Sequence, residues 1–181
     1  LTDLGQAAEL ERLLRSRGQL VTAPAARADL LRRRIDLHRD DADRPVLIAA
    51  LEELAGLEPP RGAAAMRLRG LYREGQRWQA LAALLERDLP ALDDDPAAQV
   101  VELLDLATIV REHLGDKDRA ASVLQRVLAL APLHEEALAR YTDHFRERRD
   151  WRGLADLLEF ALESSRDAGA TVAEQIQRLE E

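Results

Sequence analysis

The chain has 181 residues, 46% hydrophobic and 33% charged but only 3% aromatic, with a formal net charge of -8. That length and apolar content suit one ordinary domain or one short array and exclude a disordered chain. The acidic balance excludes wholesale binding to nucleic acid, which needs a basic face, and the absence of cysteine removes disulfides, thiolate metal sites and cysteine nucleophiles.

Taken in chain order, helical punctuation falls about every 17 residues. It predicts ten helices, over 3–17, 24–40, 43–57, 60–74, 76–90, 95–113, 116–131, 133–148, 150–164 and 168–181. The apolar residues are mostly Leu and Ala, which favour helix, and the β-branched and aromatic residues that favour strands are scarce. Within 95–113 the apolar positions keep helical period: Val101, Leu104, Thr108 and Arg111 lie on one stripe, and Leu103, Leu106, Ala107 and Val110 on the next. Pro59-Pro60 and Pro132 stand where helices end, because proline donates no amide and restricts the residue before it. Gly75 and Gly115 are expected to relieve tight turns. Asp95-Pro96 reads as an N-cap followed by proline in the first turn, and Asp150 before Trp151 as a second cap.

The chain also repeats itself. WQALAALLERDL from Trp78 returns as WRGLADLLEFAL from Trp151, an offset of 73 residues. The same offset carries Leu30, Leu31, Leu37, Leu51, Leu57 and Pro59 onto Leu103, Leu104, Val110, Leu124, Leu130 and Pro132. Short loops make successive helices antiparallel neighbours. A closed bundle has no reason to repeat its sequence, whereas a solenoid does, since each unit meets the same neighbour. The expected fold is therefore all-α, an α-solenoid of antiparallel helix pairs.

The residues resemble the tetratricopeptide repeat (TPR) family, a helix–turn–helix of roughly 34 residues. Leu103-x2-Leu106-Ala107-x2-Val110 matches its first-helix spacing, and Ala120, Leu124, Val127, Leu128 and Pro132 match its second helix and exit. Leu138, Tyr141, Thr142 and Phe145 before Trp151, and Ala65, Leu68 and Tyr72 before Trp78, repeat the theme. The resemblance covers the whole chain. It divides a single array into 1–27 (a second helix of a truncated repeat plus linker), full repeats 28–61, 62–97, 98–134 and 135–168, and 169–181 as the first helix of a truncated repeat. There are departures: Arg69 and Thr142 occupy a site that is usually small, Leu47, Leu81 and Leu154 stand where alanine is usual, and one extra residue precedes Gly115.

The resemblance implies a right-handed superhelix, a piece of a longer bacterial multi-repeat protein, and a protein-interaction scaffold that is not an enzyme. A bacterial source agrees with the near-absence of lysine, since Lys117 is the only one, and the absence of asparagine, both marks of a high-GC genome. The chain starts without Met, which supports the reading as a fragment, so the expected cytoplasmic location is argued only from composition. No apolar run approaches the ~20 residues that span a bilayer, so no direct membrane insertion is expected. In such arrays the first helix of every pair lines a concave groove that docks a partner protein or peptide. Here that lining would run through His38, Met66, Arg73, Leu104, Thr108, Arg111, Glu136, Asp143 and Arg146. Arg-Glu recurs at 73–74, 111–112 and 146–147, which would set guanidinium groups along one edge for bidentate contact with carboxylates. The competing account is that each arginine pairs with its neighbours between repeats. The lysine-and-asparagine clamp of chaperone-binding TPRs cannot be built from this sequence.

Other chemistry is bland. His38, His113, His134 and His144 share no metal-ligand spacing and read as exposed or half-buried groups. Asp93-Asp94-Asp95 lacks the alternating ligands and closing glutamate of a calcium loop and reads as a capping loop. There is no phosphate-cradling glycine loop and no nucleophile elbow, so no cofactor, metal or catalytic residue is assigned. Trp78 and Trp151 are expected to pack between adjacent helices. Arg32-Arg33-Arg34 with Arg27 and Arg39 reads as a solvated helix face, or else as a contact for an acidic partner. The alternative to a groove is a structural spacer or assembly arm with no groove ligand, whose ends would stack end to end when the fragment is isolated.

Overall fold

The computed structural model describes residues 2–38 and 44–180, and among them it is all helix: α1 Thr2–Leu20, α2 Pro24–Leu37, α3 Arg44–Leu57, α4 Ala63–Glu74, α5 Trp78–Asp88, α6 Pro96–Thr108, α7 Lys117–Leu130, α8 Glu135–Arg148 and α9 Trp151–Glu180. The chain divides into two units, Leu1–Ala91 and Leu92–Glu181. Within each, every helix packs on the one before it and the one after it, α1 through α5 in the first unit and α6 through α9 in the second. This is the helical-repeat, solenoid-type architecture that the internal period implies.

The first unit buries Leu51, Leu68, Leu81 and Leu85 completely, and the second buries Leu103, Leu106, Val110, Leu124 and Val127. Each such side chain is worth about 1.5–3 kcal/mol relative to exposure, so successive apolar stripes hold the pairs together. Starts are set by caps. Asp95 accepts from the Ala98 amide at 3.0 Å, Asp116 from the Arg119 amide at 2.9 Å and Asp150 from the Gly153 amide at 3.0 Å. Each satisfies a first-turn donor that the helix itself leaves unpaired. His134 does the same through Nδ1 for Ala137 at 3.4 Å.

The ends show where the sequence misleads. Gly115 takes the left-handed conformation, φ 69°, but Gly75 does not; the left-handed residue after α4 is Gln76, φ 52°, and its counterpart 73 residues on is Arg149, φ 55°. Both turns close alike, with the Arg77 amide donating to Tyr72 O at 2.8 Å and the Asp150 amide to Phe145 O at 2.9 Å. These six-to-one bonds satisfy a terminal carbonyl and hold a non-glycine residue at positive φ.

The expected helix 95–113 is α-helical to Thr108 and then continues as a π turn over Ile109–His113, in which the Leu114 amide donates to Ile109 O at 3.2 Å. A π turn holds one residue more than an α turn, and it takes up the extra residue before Gly115 without rotating the buried face off Ile109 and Val110. The expected helices 150–164 and 168–181 form one helix, α9. Ser164 to Gly169 contains no proline, and a lone glycine costs about 1 kcal/mol without ending a helix.

Candidate functional site

In the first unit the expected lining residues fall at the end of α2 and on α4. Met66 and Arg73 stand exposed on α4. His38 does not: it caps α2, is buried, and points Nε2 at Glu11 Oε2, 3.2 Å away. Glu11 also accepts from Arg34 Nε and Nη2, the latter at 2.9 Å. Burial alone would raise the Glu11 pKa, but the hydrogen bonds from Arg34 and His38 outweigh it and hold the carboxyl below its usual range. His38 therefore belongs to the α1–α2 interior and cannot touch a partner.

The basic cluster disperses in the same way. Arg34 is buried on Glu11, Arg27 donates to Glu53 at 3.3 Å, and Arg32 bridges Asp29 at 2.9 Å and Glu58 at 3.1 Å. Arg39 lies outside the described residues. Between α2, α3 and α4 remains a cleft of about 280 Å³, floored by Ile35, Leu51 and Leu54 and rimmed by Arg32, Asp36 and Arg67.

The second unit sets α6 and α8 side by side. Arg140 on α8 donates to Thr108 Oγ1 on α6 at 2.7 Å, and Thr108 in turn donates to Leu104 O at 2.8 Å. Glu136, one turn before Arg140, holds the guanidinium at 2.7 Å. Arg111, at the end of the α6 stretch, donates to Glu147 at 2.6 Å, and Lys117 reaches the same carboxylate at 2.9 Å. The hydrogen bond from Lys117, helped by the Arg111 charge, lowers the Glu147 pKa. Asp143 and Arg146 form a wider pair at 3.7 Å, both exposed. Beside this row Leu104 is half-buried and Val101 stands out into solvent.

The nine expected lining residues are therefore not equivalent. Thr108, Arg111 and Glu136 take part in the network of bonds that joins α6 and its π turn to α8, and Leu104, Asp143 and Arg146 lie on the same two helices; Met66 and Arg73 belong to the other unit; His38 is interior. Arg111 is paired with Glu147. Arg140 was not expected, although its place one turn from both Glu136 and Asp143 on α8 was visible in the sequence. Val101, expected in an apolar stripe, faces outward.

Asp95 caps α6 and Asp93 accepts from Gln99 at 3.2 Å, so the triple aspartate is a capping loop. No group among the described residues could hold a metal ion. His144, like His38, is buried, contrary to the reading of solvated histidines. Tyr72 donates to Glu52 at 2.7 Å, and burial together with that carboxylate pushes its pKa up to about 12. Trp78 is half-buried, but Trp151 is exposed, so the expected packing role fails there. No helix among the described residues is long and apolar enough to cross a membrane.

No protein-family model and no curated protein matches the chain. Among solved structures it is similar to MamA, with 15% identity over 90% of this chain and 92% of that one and a TM-score of 0.47. It is also similar to the nearly identical TPR-like repeats of a Podosopora anserina protein described as a kinesin light chain, with 16% identity over 92% and 90% and a TM-score of 0.46. A third is MamA from Desulfovibrio magneticus RS-1, with 13% identity over 87% and 96% and a TM-score of 0.44. At these identities and scores the likeness bears no further weight, and the repeat architecture rests on the chain's own helices.

Proposed function

We propose that the chain is a non-enzymatic protein-interaction scaffold whose first-type helices dock a segment of another protein. The observation that carries this reading is the α6–α8 face. Arg140, Thr108, Glu136, Arg111 and Glu147 lock two helices side by side through charge-assisted bonds, while Val101 and Leu104 offer apolar surface next to them. A face already ordered by its own bonds spends little conformational entropy on binding. A partner would seat an apolar side chain on Val101 and Leu104, with charges matched to Asp143 and Arg146 at the rim. Met66 and Arg73, both exposed on α4, offer a second surface in the first unit.

The test is affinity capture with the whole chain, comparing the wild type with Val101→Glu and with Met66→Glu, both outward-facing and so harmless to the core. Loss of the same captured protein from either variant, with unchanged helicity by circular dichroism, supports docking on these faces. Capture indifferent to both, and to the triple substitution Arg73→Ala, Arg111→Ala, Arg146→Ala, leaves the chain as a spacer.

A further inference from the structure

The four second-type helices can be laid on one another in register, because Leu47, Leu81, Ala120 and Leu154 fill the same place. One face then comprises Ile48, Leu51 and Ala55 in α3, Ala82, Leu85 and Leu89 in and just after α5, and Ala121, Leu124 and Leu128 in α7. All nine are buried. In α9 the same positions are Ala155, Leu158 and Leu162, preceded one turn earlier by Trp151. Here the face is open: Trp151 is 63% exposed, Leu158 57% and Leu162 53%. A stripe of this composition belongs in an interior, and its three sisters are in one.

The charges beside the stripe say what covers it. Trp151, Ala155, Leu158 and Leu162 follow one another at steps of four, three and four residues, the seam of a two-helix coiled coil. One flank is half-buried Leu154 and Ala161, which widens the apolar seam. The other carries exposed Arg152 and, seven residues on, exposed Glu159. We propose that α9 pairs antiparallel with α9 of a second copy of this chain. In that register Trp151 meets Leu162 of the second copy and Ala155 meets Leu158. Arg152 then lies beside Glu159 of the second copy, and the two-fold axis makes this pair twice. A parallel pairing would stack Trp151 on Trp151 and leave both charges without a partner. The arrangement is isologous and closed, so it stops at a dimer. It uses a surface separate from the α6 and α8 rows proposed for docking.

Sedimentation equilibrium of the 181-residue chain tests this directly. The expected result is a discrete dimer at micromolar concentration, converted to monomer by Leu158→Glu with Leu162→Glu. Those side chains point outward, so circular dichroism should report unchanged helicity. Arg152→Glu should weaken the dimer by about tenfold, since two weak pairs become two repulsions, and adding Glu159→Arg should restore it. A monomer at every concentration would overturn the proposal, as would a dimer indifferent to the α9 changes. Open-ended growth abolished by Leu13→Glu would instead place the contact on the exposed leucines of α1, and it too would overturn the pairing. A charge exchange that fails to restore association would sink the antiparallel register.

Discussion

The two units share a ground plan and differ in how they fill it. At the 73-residue offset, the Arg44–Glu74 ion pair of the first unit returns as Lys117–Glu147 in the second, and the left-handed turn at Gln76 returns at Arg149. The polar interior does not return. The first unit buries Arg69, which donates to Asp88 at 2.8 Å, and Asp88 also accepts from Arg87 at 2.8 Å. It pairs Tyr72 with Glu52 as well. The second unit has Thr142, Ala161, Phe145 and Gln125 in those four places. Each charged or hydrogen-bonded pair is replaced as a pair. A buried charge is tolerable with its partner and costly without it, whereas two apolar or small polar groups need nothing.

The largest expected effect tests that rule. Asp88→Ala leaves the Arg69 guanidinium buried beside a missing carboxylate and should cost about 3–5 kcal/mol in chemical denaturation. Converting both positions to the second unit's residues, Arg69→Thr with Asp88→Ala, should recover a large part of that loss, leaving mainly a packing defect. A double variant as unstable as the single one would show that the two units reached their interiors independently of pairing.

Gly153 marks a second difference. A Cβ built there would run into Phe145 Cε1 and fall 2.7 Å from Asp150 Oδ2, so the Phe145 ring lies directly on the α9 backbone. The first unit has Ala80 and Tyr72 in these places. Gly153→Ala should therefore destabilise by about 1–3 kcal/mol despite alanine's better helix propensity. Combining it with Phe145→Leu should remove most of the penalty, which thermal melts would detect.

Tyr72→Phe installs the second unit's residue in the first and should cost about 1 kcal/mol at neutral pH, the value of one hydrogen bond. Its signature is alkaline. The folded state keeps the phenol proton up to about pH 12, while the unfolded chain releases it near 10. Stability is therefore full below pH 10 and falls as pH rises through that window. The variant should lack that part of the decline, and urea midpoints between pH 9 and pH 11.5 would show it.

The repeat was legible because a stacked array forces the same apolar stripe on every unit, so Trp78 to Leu89 and Trp151 to Leu162 carry one pattern. The pattern could not say that one of these stripes is buried and the other open, since exposure depends on the neighbour and not on the helix. Capping at Asp95 and Asp150 was readable because the acceptor and donor lie three residues apart. The Arg140–Thr108 and Arg111–Glu147 links span 32 and 36 residues and follow only from where the folded unit brings α6 and α8. The burial of His38 was hidden for the same reason, as Glu11 belongs to a different helix. A glycine marks the tight turn after α4 in the sequence, while the six-to-one hydrogen bond, which the residue type does not encode, places the left-handed residue at Gln76.

The smallest effect concerns the ion pair the units share. Glu147 is exposed, and the hydrogen bond from Lys117, with the Arg111 charge behind it, holds its pKa below 4.5. A depressed carboxylate contributes stability that is present above its unfolded pKa and is lost as pH falls through the folded one. Glu147→Gln should therefore leave the urea midpoint at pH 7 only slightly lower and make the drop between pH 5 and pH 3 shallower. Salt near 1 M, where the Debye length is about 3 Å, should shrink the neutral-pH difference further because the pair faces solvent. Since Glu147 also fastens Arg111, the same variant frees that guanidinium on the α6–α8 face. Stronger capture of an acidic partner by Glu147→Gln, at equal helicity, would show that the pair competes with docking; unchanged capture would assign Arg111 to holding helices alone.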